Sequence, residues 1–169
     1  ANMFVHEGYV YIVRSQEDYE NWENSTTAVD VIDARNPASP TYVRTVELPF
    51  ARDDYGWYGS SLDDAERTIK VGDAIVMMVS QSQWDDRGEE YIGQSAQFQV
   101  LDVSDPANPT LTATIDRPDG LSHGGLQAFG TNVVSWHMRT ASSDNSKVRF
   151  YLDRLDVSDP VAPVSLPPV

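Results

Sequence analysis

The sequence predicts an all-β fold: a β-propeller of three four-stranded antiparallel blades, part of a larger ring. Three observations carry that prediction. One motif recurs three times, as Ile-Asp-Ala-Arg-Asn-Pro-Ala-Ser-Pro at Ile32–Pro40, Leu-Asp-Val-Ser-Asp-Pro-Ala-Asn-Pro at Leu101–Pro109 and Leu-Asp-Val-Ser-Asp-Pro-Val-Ala-Pro at Leu155–Pro163. Upstream of each copy lies a glycine followed by an apolar run: Gly8 with Tyr9–Val13, Gly72 with Ala74–Val79, Gly130 with Thr131–Trp136. No segment shows a convincing helical period, whereas β-branched and aromatic runs with partial period-two alternation are frequent. A unit of four strands reused in series, here at roughly 55–70 residue spacing, is the signature of propeller blades.

The elements of each unit follow in order. A short extended stretch comes first (Met3–His6, Arg67–Val71, Gly125–Phe129), and the glycine turn leads into the apolar second strand. The motif ends the third strand, at Thr27–Ile32, Ala96–Val103 and Val148–Val157. Its aspartate closes that strand, Ser-Asp-Pro makes a turn through side chain to backbone hydrogen bonds, and proline stops the ladder. In the first copy Arg35-Asn36 stands for Ser-Asp, which keeps the turn chemistry because asparagine caps the same amides. The second proline launches a fourth strand (Tyr42–Leu48, Leu111–Ile115, Val164–Leu166), which suits the outer edge of a sheet. The blades cover approximately 1–50, 62–117 and 122–169, one partial propeller over the whole chain. Closed propellers typically have four to eight blades, so the remaining blades or other chains are expected to complete the ring. An open three-blade arc is the alternative.

Composition narrows the partners. The net charge of −14 argues against nucleic acid, whose phosphates need Lys/Arg-rich surfaces, and against docking on anionic membranes. Cations, basic proteins and neutral ligands such as glycans remain. The absence of cysteine excludes disulfides and thiolate metal sites. No apolar run reaches the roughly 20 residues of a transmembrane helix. Ala1-Asn2-Met3-Phe4 does not read as a translation start, so the chain is expected to begin inside a longer protein or after processing.

Function is expected on the loops. In an up-and-down blade, glycine turns and Asp-Pro turns share one side, and the long connections Ser15–Thr26, Phe50–Glu66, Ser82–Gln94, Arg117–Gly124 and Arg139–Lys147 share the other. Those connections hold Tyr19 and Trp22, then Asp53, Asp54, Tyr55, Trp57 and Tyr58, then Trp84, Asp85, Asp86 and Tyr91. Aromatic rings beside carboxylates suit sugar stacking, cation–π capture or a protein hot spot. The bland alternative is that the rings plug gaps between blades while the acids solvate the loops. No cofactor is expected, calcium aside: Asp53-Asp54-Tyr55-Gly56 and Asp85-Asp86-Arg87-Gly88 pair carboxylates beside a glycine, but neither has EF-hand spacing and Arg87 opposes a cation. His6, His123 and His137 share no metal-type spacing, and His123 before Gly124-Gly125 reads as a turn residue. No nucleophile elbow or phosphate-cradling loop occurs, so no catalytic residue is assigned.

The Leu-Asp-Val-Ser-Asp-Pro-x-x-Pro motif with its upstream glycine and apolar strand resembles the LVIVD-repeat β-propellers of bacterial and archaeal surface proteins. The likeness is closest at the two later motifs and looser at Ala34-Arg35-Asn36. It implies a propeller and an exported or cell-surface setting. It implies no defined activity, so no functional residue is carried over. The expectation is a non-catalytic interaction module presenting an acidic, aromatic loop face to a protein or glycan. The alternative is a fragment of a propeller hydrolase whose other catalytic residues lie on absent blades. In that case acids or histidines would sit at the starts of innermost strands.

Overall fold

Alternating apolar and polar residues, punctuated by glycine and Asp-Pro turns, form twelve strands among the described residues, which are 2–16, 26–48, 67–84, 87, 91–141 and 146–169 of the computed structural model. Blade 1 comprises β1 (Asn2–His6), β2 (Tyr9–Gln16), β3 (Thr26–Asp33) and β4 (Thr41–Leu48). Blade 2 comprises β5 (Thr68–Val71), β6 (Ala74–Trp84), β7 (Tyr91–Asp102) and β8 (Thr110–Asp116). Blade 3 comprises β9 (Ser122–Phe129), β10 (Asn132–Thr140), β11 (Val148–Asp156) and β12 (Val164–Leu166). Each sheet is an antiparallel meander in chain order, so the strand after the second motif proline is an outer edge in all three. The architecture is that of propeller blades.

Glycine turns join the first two strands of each blade. Gly8, Gly72 and Gly130 have φ of 81°, 55° and 62°, and Glu7 joins Gly8 at positive φ, the backbone that two-residue hairpins require. The motif turn is the same object three times. Asp33, Asp102 and Asp156 accept the amides of Arg35, Ser104 and Ser158 at 3.0, 2.8 and 2.9 Å. Asn36, Asp105 and Asp159 accept those of Ala38, Ala107 and Val161 at 3.3, 3.2 and 3.0 Å. These acids satisfy backbone donors that the ladder leaves behind, which is why Asn and Asp exchange freely there.

The motif aspartates also align the blades. Asp33, Asp102 and Asp156 stand opposite Tyr9, Ala74 and Asn132, so these three positions are equivalent. Counting from them, the second strands turn alternate residues to alternate faces. The leading face of blade 1 (Tyr9, Tyr11, Val13) packs on the trailing face of blade 2 (Ile75, Met77, Val79) in one buried cluster with Val29, Val31, Leu101 and Val103. The leading face of blade 2 (Ala74, Val76, Met78) packs in a second cluster with Val133, Leu155 and Leu126 of blade 3.

Two expectations are corrected. The expected loop Ser82–Gln94 is shorter, because β6 runs to Trp84 and β7 starts at Tyr91, with the two residues paired across the hairpin and a register shift at Gln83/Trp84. Continued pairing satisfies backbone groups that a loop would leave to water. His123 is a strand residue of β9 opposite His137, since β9 starts three residues earlier than Gly125. The two glycines shape the strand there. A side chain at Gly124 would overlap the Trp136 indole, so the glycine lets the ring cross the backbone.

Candidate functional site

A buried polar cluster lies where blade 2 hands over to blade 3. Arg117 follows β8, its backbone amide bonded to the Ala96 carbonyl at 2.8 Å, and its side chain crosses to the next blade. There the guanidinium donates to Asp153 Oδ2 at 2.5 Å and to the Trp136 carbonyl at 3.1 Å, and lies over the Phe98 ring at 4.7 Å. The two side chains are 1% and 5% exposed, so solvent screens the pair little. Burial disfavours the charge on Arg117, and its hydrogen bond to Asp153 opposes that effect. Arg117 Nε is buried with no hydrogen-bond acceptor among the described residues.

Two histidines complete the cluster. His137 Nδ1 is 2.9 Å from both oxygens of Asp153, and a carboxylate only accepts, so this nitrogen carries the proton. Its ring stacks on Tyr151 at 4.9 Å. His123 lies 5.9 Å from His137, centroid to centroid, and its Nε2 donates to the Pro118 carbonyl at 2.9 Å. Burial pulls its pKa down to about 4, aided by the Arg117 and His137 fields and opposed by the Pro118 bond. At neutral pH the ring is uncharged, with its lone pair on Nδ1. Ser135 donates to the Gly124 carbonyl.

His123 also lines a cavity of about 240 Å³ with Arg67, Met78, Ser122, Gly124, Gly125 and Trp136. The cavity lies at the start of β9, which runs beside β5, the first strand of blade 2. Chemically the cluster is an oriented His–Asp pair whose carboxylate is already engaged by arginine. Ser135, the hydroxyl beside it, is committed to a carbonyl and not to an imidazole. That arrangement clamps two blades together and leaves the serine unactivated.

Sequence reasoning missed this cluster. Repeat alignment carries a signal for it: His137 and Asp153 occupy the positions of Val79 and Gln99 in blade 2, so blade 3 has a titratable ring where blade 2 is apolar and a carboxylate where blade 2 has a neutral amide. Of the residues expected on the loop face, Tyr19, Trp22, Asp53, Asp54, Tyr55, Trp57, Tyr58, Asp85 and Asp86 lie outside the described residues. That set includes the carboxylates considered for calcium. Trp84 and Tyr91 sit opposite each other at the far end of the β6–β7 hairpin. His6 is apart from the other two histidines, 3.2 Å from Asp73 at the glycine turn of blade 2.

Fold and turn geometry define a repeat protein of propeller blades. The LVIVD repeat family model matches residues 90–116, which takes in β7, the second motif turn and β8. The chain resembles LVIVD-repeat proteins there, and the motif turns of blades 1 and 3 have the same hydrogen bonds outside the matched segment. No curated protein matches the chain. No helix of the described residues is long and apolar enough to cross a membrane.

Proposed function

We propose that this chain is a non-catalytic interaction module of the bacterial or archaeal cell exterior, presenting an acidic, aromatic loop face to a protein or a glycan. One observation carries the reading. Strand pairing puts the glycine turns and Asp-Pro turns at one end of the sheets, so connections 17–25, 49–67, 85–90 and 141–147 all leave from the other. Trp22 and Trp57 fall in those connections and Trp84 borders one, together with most of the paired acids. Rigid blades gathering rings and carboxylates at one end favour sugar stacking or a protein hot spot. The LVIVD likeness supports the exported setting. If a cation assists, Asp53-Asp54 and Asp85-Asp86 are the oxygen donors suited to calcium.

The hydrolase alternative has one observation in its favour, the histidines near the start of β9. The commitment of Ser135 to the Gly124 carbonyl weighs against it. The test is an immobilised glycan array and a cell-surface protein extract, probed with the chain and with Trp57→Ala and Trp84→Ala. The expected result is binding that both substitutions abolish while the unfolding midpoint stays unchanged. Binding retained in both variants overturns the loop-face reading.

A further inference from the structure

The cavity at the start of β9 has a charge character opposite to that of the chain. Acidic residues outnumber Lys and Arg by 26 to 12, yet no carboxylate lines the cavity among the described residues, and Arg67 does. A second arginine stands behind the Met78 wall: Arg117 Nη1 donates to Met78 Sδ, and the Arg67 charge is close enough to disfavour that of Arg117. Asp153 already balances Arg117. His123, the other titratable lining residue, is uncharged at neutral pH. Arg67 is half-buried, so solvent screens its charge less than that of a surface arginine. A guanidinium has five donors, so it can keep a neighbour and still take a carboxylate.

Backbone bonds hold the walls in place. The Arg67 carbonyl accepts the Met78 amide at 2.8 Å, which continues the β5–β6 ladder by one residue. The Leu121 amide donates to the Met138 carbonyl at 2.8 Å and Ser122 pairs with Met138, which fixes the start of β9 on β10. Gly124 lies against Nε1 and Cε2 of the Trp136 indole, so this ring reaches the cavity across the strand. Gly125 adds backbone that no side chain covers. The walls thus offer one cation, a hydroxyl, strand backbone, a thioether and an indole. The volume of about 240 Å³ is far more than a bare ion needs and approaches the lower end of small-molecule pockets. Both β5 and β9 begin at the end of the sheets that bears the long connections, so the cavity lies at that end.

We propose that this cavity binds one carboxylate-bearing sugar unit of the uronate type, with Arg67 pairing with the carboxylate, Trp136 covering C–H surface of the sugar ring, and Ser122 with the β9 backbone bonding its hydroxyls. A guanidinium matches a planar carboxylate with two parallel hydrogen bonds. A sugar combines C–H faces that pack on an aromatic ring with hydroxyls that need polar partners, and the cavity walls supply both. The net charge of −14 repels polyanions, so a single negative charge is what this chain admits. A phosphate dianion is disfavoured for that reason, and no helix N-terminus is present among the described residues to hold one. The site uses neither Trp57 nor Trp84, so it stands apart from the loop-face reading although both lie at the same end of the blades.

The experiment is an NMR titration of the intact, nitrogen-15-labelled chain with glucuronate, and with glucose, acetate and inorganic phosphate at matched ionic strength. Trp136→Phe assigns the Trp136 indole N–H resonance, which reports the site. The expected result is a saturable shift with glucuronate, and binding of each of the other three at least roughly tenfold weaker. Arg67→Gln weakens glucuronate more than roughly tenfold, and Arg67→Lys weakens it less, since it keeps the charge and loses the fork. Ser122→Ala costs about fivefold and carries the readout should circular dichroism show that Arg67→Gln loses its sheets. Trp57→Ala and Trp84→Ala leave this titration unchanged, whatever they do to capture on the loop face. No saturable shift of Trp136 overturns the proposal. So does glucose, acetate or phosphate binding as tightly as glucuronate, or affinity unchanged in both Arg67→Gln and Ser122→Ala. Glucuronate binding lost in Trp57→Ala would overturn it in favour of the loop face.

Discussion

The contact between blades 1 and 2 and the contact between blades 2 and 3 occupy the same repeat positions and differ in chemistry. The first is mostly hydrocarbon and aromatic, with Tyr9, Tyr11, Val13, Val29 and Val31 against Ile75, Met77, Val79, Leu101 and Val103, and its polar groups are uncharged: the Tyr11 hydroxyl bonds the Pro106 carbonyl, and the buried Gln99 stands at the position of Asp153. The second is apolar at the glycine-turn end, where Val76 and Val100 share a cluster with Val133 and Leu155. At its other end it contains Arg117, Asp153, His137 and Ser135, all buried. Apolar burial is non-directional and roughly proportional to area, so the first contact is set mainly by shape, with no buried ion pair among the described residues to fix it. A buried ion pair holds only at short range and in one geometry. The repeat therefore determines where faces meet but leaves the means of attachment open, and blades 2 and 3 are joined by the more specific means.

That contrast is broken most decisively at Asp153. Asp153→Ala leaves Arg117 charged, buried and without its carboxylate, and the expected cost is about 3–5 kcal/mol of folding stability. Denaturant unfolding with the midpoint and slope both fitted measures it. Replacing the group together, with Arg117→Met, Asp153→Leu and His137→Val, is expected to restore stability to within about 1 kcal/mol or to exceed it. A loss below about 1 kcal/mol in Asp153→Ala alone would show that the pair is solvated, contrary to its burial.

The legible part of the molecule is the part made by local chemistry. The three Asp-Pro corners were readable because each hydrogen bond closes within three residues, as from Asp102 to the amide of Ser104. The glycine turns were readable because positive φ singles glycine out, as at Gly72 and Gly130. Trp84 and Tyr91 were misplaced into a loop because Ser82-Gln83 and Gln94-Ser95 are polar and look like turn residues, although their backbones continue the ladder. The Arg117–Asp153–His137 group was not readable. Its members come from the end of one blade and the middle of another, and no spacing along the chain encodes a contact made by stacking sheets. The loop face remains an expectation drawn from topology, with Trp84 and Tyr91 the two of its residues whose backbone positions are described.

The polar contact should also make this end of the molecule sensitive to acid. His123 is held neutral by burial, with its pKa at about 4 against an ordinary 6.5. The groups facing it are Arg117, His137 and Asp153. Its folded value lies below its unfolded one, so between those two pH values the unfolded chain binds a proton that the folded chain refuses. The contribution is therefore complete above pH 6.5 and is lost as pH falls toward 4. Roughly 2 kcal/mol should disappear between pH 7 and pH 5. His123→Gln keeps a donor for the Pro118 carbonyl and removes the titration, so its stability should change less over that interval. Equal slopes for the two proteins would mean that the ring is not excluded from protonation.

The smallest expected effect sharpens the comparison from the apolar side. Tyr11 supplies the hydroxyl hydrogen bond that crosses from blade 1 to blade 2, and burial pushes its pKa up to about 12, so the phenol remains a donor at any usable pH. Tyr11→Phe keeps the ring and removes only the bond to the Pro106 carbonyl. Pro106 is half-buried, so water can reach that oxygen in the variant, and the expected loss is about 1 kcal/mol or less. Thr112→Val removes the matching bond to Pro160 in the other contact and should cost about the same. Two small and similar losses beside a large one at Asp153 would locate the difference between the contacts in the ion pair. A loss of several kcal/mol in Tyr11→Phe would make the first contact polar in its energetics too, and the distinction between the two would then rest on which polar group each uses.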